Sequence, residues 1–185
     1  GLLELARLLQ NDSFERRLDL VAYTLEEPPY FRTEQMGSFI HANSIFGRKD
    51  LIPGMICLEM IGYFVDEPKS QTYPVTNLRQ VYGTKGDFIS MITQTNPSTF
   101  ITKFSAHFEK HDLIKSIFLA APEELQGVDF SDHLNYWKFG IPALMITDTS
   151  FFRNPHYHKK SDTLETLDLE RMALVIESVY RCLNG

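Results

Sequence analysis

Three places in the sequence set side chains capable of acid–base or metal chemistry in suggestive surroundings. Glu26 and Glu27 are adjacent carboxylates directly after the apolar run 18–25. Two carboxylates leaving a buried segment together are costly unless a cation or a proton lies between them. Glu59 stands alone in Met55-Ile56-Cys57-Leu58-Glu59-Met60-Ile61-Gly62-Tyr63. A carboxylate in an apolar strand needs a cation, a hydrogen-bonding partner or a proton. Asn154-Pro155-His156-Tyr157-His158, with Asp162 after it, offers two imidazoles and a phenol. Each place has a plainer alternative: a solvated turn, an outward-facing glutamate, histidines in water.

His107 and His111 stand one helical turn apart, a spacing that could hold a metal but that reads first as a solvated helix face. Glu109 falls one place too late for a His-Glu-x-x-His motif. Nucleophile chemistry finds no support: there is no Gly-x-Ser-x-Gly elbow, and Cys57 has no recognisable base nearby in sequence. Gly83-Thr84-Lys85-Gly86 reads as a turn, not a phosphate loop.

The elements that must position these groups follow from periodicity. Residues 1–9 carry an amphipathic helical pattern, and 18–25 read as a buried strand stopped by Glu26-Glu27-Pro28-Pro29. A short helix is predicted over 37–45, with strands over 55–63 and 87–93. Asn96-Pro97 opens a helix, Asn as cap and Pro in the first turn, whose apolar face is Phe100, Ile101, Phe104 and Phe108. A strand over 116–120, a helix over 132–139 closed by Gly140, a strand over 143–147 and a helix over 168–183 complete the series. Strands alternating with helices predict an α/β three-layer sandwich around a mixed, mostly parallel sheet of about five or six strands. In such sheets ligands collect beyond the carboxyl ends of strands, where the three places fall.

The chain of 185 residues fits one domain, 1–185, and its 24 acidic against 18 basic side chains leave a net charge of -6. No basic surplus exists to neutralise phosphates, which argues against nucleic acid or an anionic membrane as partner. The longest apolar stretches, such as 55–64, are about half a membrane span and contain Glu59. Residues 1–10 hold Glu4 and Arg7 at helical spacing, unlike a signal peptide. Two cysteines, Cys57 and Cys182, are too few for a disulfide framework and read as buried free thiols, leaving the compartment open.

Taken in order, Leu25-Glu26-Glu27, then Leu58 to Tyr63, Ser131-Asp132-His133, Gly140-Ile141-Pro142-Ala143-Leu144 and Tyr157-His158 through Asp162-Thr163 resemble the co-catalytic zinc exopeptidases. That family holds bacterial aminopeptidases and glutamate carboxypeptidases, with glutaminyl cyclases and the non-catalytic transferrin receptor as relatives. Glu27-Pro28-Pro29-Tyr30-Phe31-Arg32-Thr33 and Thr147-Asp148-Thr149 with Arg153-Asn154-Pro155 resemble one bacterial peptidase branch. The resemblance implies hydrolysis of N-terminal peptide bonds by a metal-activated water, with Glu26 as general base and Tyr157 steadying the tetrahedral intermediate. It implies Glu27 and His158 as ligands of one zinc, Glu59 as a ligand of the other, and Asp132 and His133 as supporting or substrate-facing residues.

In the family a His-x-Asp segment and a bridging Asp precede a helix like that of residues 1–9. The resemblance therefore implies the C-terminal two thirds or so of a catalytic domain, without its N-terminal strands. It implies two zincs in the intact family site and at most one weakly held here, leaving open whether the chain turns over a peptide by itself. Two alternatives stand beside it: a non-catalytic binding module with a degenerate peptidase fold, and a glutaminyl cyclase-like acyltransferase. The vacated sheet edge implies a homodimer.

Overall fold

A computed structural model describes residues 1–184. The elements in chain order are α1 (Leu2–Leu9), α2 (Gly37–Ile45), β1 (Met55–Glu59), α3 (Thr76–Tyr82), β2 (Ile89–Gln94), α4 (Thr99–His111), β3 (Ser116–Ala121), α5 (His133–Lys138), β4 (Ala143–Thr147) and α6 (Leu169–Asn184). The four strands form one sheet in the order β1-β4-β2-β3. β1 runs parallel to β4 and β2 parallel to β3, while β2 and β4 are antiparallel. The sheet is thus mixed and mostly parallel.

Strand periodicity divides the core. On β4, Leu144 and Ile146 join Ile89 and Met91 of β2 beneath α1, α4 and α6, where Leu5, Ile101, Phe104, Phe108, Val175 and Val179 meet them. Ala143 and Met145 point to the other face and join Cys57, Ile92, Tyr136 and Trp137 beneath α2 and α5. β4 is buried at all its positions, which explains its unbroken apolar run. α4 is capped by Ser98, whose hydroxyl accepts the Ile101 N–H at 3.3 Å, rather than by the expected Asn96, which sits at φ 60°. Asp168 does the same for α6, accepting the Arg171 N–H at 2.9 Å.

Residues 18–25 are not a strand. They form no regular element, with Val21 and Tyr23 half-buried and Ala22 and Thr24 exposed, and pair with no strand among the described residues. Their one backbone hydrogen bond outside regular elements is Gly37 N–H to Thr24 O at 2.9 Å. Leu18, Leu20 and Leu25 are exposed, so the expected buried member is instead a surface segment. Burial alternates only over 21–24, and the segment has no ladder partner among the described residues. The sheet accordingly has four strands, and β1 is an edge. Strand β1 also ends earlier than expected, because Met60 turns to φ 45°. No helix among the described residues is long and apolar enough to cross a membrane.

Candidate active site

β1 and β4 end side by side, with Glu59 in register with Thr147. Beyond Glu59 the backbone takes a left-handed turn at Met60, and beyond Thr147 it does so at Thr149 and Ser150. Leu25, immediately before Glu26, and His158 share that conformation at φ 61° and 56°. Left-handed backbone at non-glycine residues costs energy, and such positions gather at functional sites.

Glu59 accepts a 2.6 Å hydrogen bond from the Ser131 hydroxyl, which also lies 3.4 Å from the Cys57 sulfur. Burial raises the Glu59 pKa against that bond, and the charges of Asp132, Glu27 and Asp148 add to the rise. Burial likewise pushes Glu26 up to about 7, with Glu59, Glu27 and Asp132 adding their repulsion. Asp132 is raised by burial, and its Oδ1 has no hydrogen-bond partner among the described residues.

Glu27 and His158 meet at the exposed lip, Oε1 to Nε2 3.2 Å. The Tyr157 ring stacks on His158 with centroids 3.9 Å apart. Its phenol is pushed up by burial and by the charges of Glu27, Glu59 and Glu26. Six of the seven sequence-selected residues therefore converge: Glu26, Glu27, Glu59, Asp132, Tyr157 and His158. His133 does not. It is fully buried, its Nε2–H donating to Val128 O at 2.7 Å and its ring edge-on to Trp137, so it faces the interior and not a substrate.

Ser131, directly before Asp132, holds Glu59 in place, a role that no pattern in the sequence marks. Behind the rim, Glu59 and Tyr157 border an apolar cavity walled by Leu119, Leu125, Val128, Phe130 and Phe152. The donor set suits a cation. Glu27 and His158 stand at the separation that two bonds of about 2 Å to one zinc would span. The crowded carboxylates and the orphaned Asp132 oxygen are what positive charge would satisfy. Among the described residues, the one group of three His, Cys, Asp or Glu donors mutually within 4.8 Å is elsewhere: His107, His111 and Cys182.

The model of peptidase family M28 matches residues 1–182. A curated relative, the uncharacterized protein YfbL of Escherichia coli K12, is 42% identical over 183 residues, 99% of this chain and 56% of that protein. The chain thus spans little more than half the length of that relative. Among solved structures, BSAP, a zinc aminopeptidase from Bacillus subtilis, aligns with a TM-score of 0.67 at 18% identity, covering 97% of this chain and 38% of that one. LapB from Legionella pneumophila aligns with a TM-score of 0.62 at 20% identity, covering 99% and 44%. These structural likenesses extend to the fold.

Proposed function

From the premise that the chain belongs to peptidase family M28, we propose that it carries part of a zinc-dependent aminopeptidase centre, cleaving N-terminal peptide bonds with Glu26 as general base. The observation that carries the reading is the meeting of Glu27 and His158 at 3.2 Å across 131 residues of sequence. In this reading Glu27 and His158 hold one zinc and Glu59 contributes to a second. Zinc in such a site supplies a nucleophile at neutral pH and polarises the scissile carbonyl.

The chain's own groups do the rest. Glu26, with its carboxyl near 7, is matched to take a proton from water and hand it to the departing amine. Tyr157 stays protonated because its phenol is pushed up, and its O–H is available to an oxyanion. Ser131 fixes the Glu59 carboxylate. The apolar cavity beside them accepts an apolar substrate side chain. A second reading, a non-catalytic module, is favoured by one observation: two donors meet at the lip, where a catalytic zinc takes three.

The test is zinc calorimetry beside hydrolysis of aminoacyl-anilides, made in a His107→Ala, His111→Ala, Cys182→Ser background so that the other donor cluster contributes nothing. We expect at most one weakly held zinc, lost in His158→Ala and in Glu27→Gln, and any turnover abolished by Glu26→Gln. Equal zinc affinity in the parent and His158→Ala overturns the metal assignment. Zinc bound through His158 without any hydrolysis favours the non-catalytic module.

A further inference from the structure

We propose that His107, His111 and Cys182 form a second metal site, separate from the peptidase centre, which takes a zinc-class divalent ion and clasps α4 to α6. It joins α4 to α6, the helices that pack on the face of the sheet opposite α2 and α5. The two imidazoles, one turn apart on α4, have ring centroids 4.5 Å apart, and Cys182 comes from the last turn of α6. All three residues are half-buried, and their donor atoms lie within 4.8 Å of one another. The histidines are therefore half-buried rather than the fully solvated helix face that their spacing first suggests.

A second observation points to a ligand. His111 Nε2 is buried and has no hydrogen-bond partner among the described residues, a state that folded proteins rarely leave uncompensated. The Cys182 sulfur reaches only the Phe104 carbonyl, at 3.9 Å. Two imidazole nitrogens and one sulfur suit zinc and its soft neighbours, whereas calcium and magnesium demand oxygen. Zinc bonds of about 2.0–2.3 Å require the donors to close by roughly 1 Å, which side-chain rotation in two terminal helical turns can supply. The fourth position is left to water.

Binding costs the thiol its proton, which passes to solvent, so affinity rises with pH. The charges around His111 oppose one another: Arg181 and Lys110 disfavour a cation, and Glu177 favours it.

Cobalt(II) titration of the whole chain tests this, because cobalt bound to thiolate absorbs in the near ultraviolet and cobalt bound to carboxylate and imidazole does not. The expected result is a thiolate band saturating at one ion per chain. It disappears in Cys182→Ser and weakens at least about tenfold in affinity in His107→Ala and His111→Ala. It persists in Cys57→Ser and in His158→Ala, which separates this site from the peptidase centre. Should Cys182→Ser fail to fold, zinc protection of Cys182 against iodoacetamide in the wild type, with Cys57 as internal control, gives the same answer. A wild type with no thiolate band, a band retained in folded Cys182→Ser, or alkylation of Cys182 indifferent to zinc overturns the proposal.

Discussion

The Asp148 carboxylate accepts the Tyr63 N–H at 2.7 Å and, through the same oxygen, the Gly62 N–H at 3.0 Å; its other oxygen accepts the Ser150 N–H at 3.0 Å. Asp148 N–H in turn donates to Met60 O at 2.6 Å. One buried residue thereby joins the segment leaving β1, just after Glu59, to the segment leaving β4, which leads to Tyr157 and His158. The arrangement turns two parallel strand ends into a single rim.

Asp148→Ala should therefore be expensive. It strips three backbone N–H groups of their acceptor at a residue only 1% exposed, and each such loss costs about 1–3 kcal/mol. We expect a loss of about 3 kcal/mol for Ala and about 1 kcal/mol for Asn, which keeps one acceptor oxygen. Urea unfolding midpoints measure it; a change within experimental scatter for Ala would show that the two segments hold without the carboxylate.

Glu26 gives a pH dependence of known sign. Its carboxyl rises from an ordinary 4.5 to about 7 in the folded chain. Between those values the folded state binds more protons than the unfolded, so this group makes stability fall as pH rises. Glu26→Gln removes the charge and keeps the shape. In chelator, the variant should match the parent near pH 4 and exceed it by about 1 kcal/mol near pH 8, a figure discounted for the group's partial exposure. A variant no more stable than its parent at pH 8 would show that neither burial nor the charges of Glu59 and Glu27 hold the Glu26 carboxyl up in the folded chain.

Gly37 controls the approach of the segment that carries the paired glutamates. A Cβ there would stand 2.9 Å from Thr24 N and 3.2 Å from Thr24 O, both backbone atoms two residues before Glu26. Gly37→Ala must push that segment away, at about 1–3 kcal/mol. It should also weaken zinc binding in the background lacking His107, His111 and Cys182, in the same direction as His158→Ala. Thermal melting and calorimetry report the two effects. Unchanged values in both would mean that the 18–25 segment yields freely.

What the sequence made legible was whatever depends on local pattern. The strand 143–147 is found at its expected bounds because all its positions are buried and apolar. α4 and α6 follow from their stripes. The segment 18–25 reads as a buried strand because an apolar run reports composition, not a neighbour, whereas strandness is settled by pairing. α3 escaped notice because none of its residues is buried, so no apolar stripe marks it. At the site, the carboxylates and His158 stand out by type and order. Ser131 and Asp148 do not: a hydroxyl and an aspartate holding other groups by hydrogen bonds have no signature until the partners are placed. For His133 the sequence leaves supporting and substrate-facing positions open; its ring turns inward by packing, which the sequence does not display.

The interior His133 makes the last prediction. Its ring is 0% exposed, and burial lowers its pKa from 6.5 to about 4, with the bond to Val128 O opposing the fall. Between these values the unfolded chain binds the proton and the folded chain does not. Stability from this group is therefore fully present above pH 6.5 and lost as pH falls toward 4. Full burial leaves no solvent screening to discount, and the shift amounts to about 3 kcal/mol. Glu26 and Asp148, both raised by burial, act in the opposite sense, so the wild-type curve alone cannot isolate the histidine. The comparison with His133→Gln can. The variant should be less stable at pH 7.5, through lost contact with Trp137, yet lose less on acidification, so that the two stability curves converge toward pH 4. Urea unfolding at half-unit steps from pH 4 to 7.5 is the measurement. Parallel curves would place the acid sensitivity on some other group and would leave His133 a purely steric member of the α5 core.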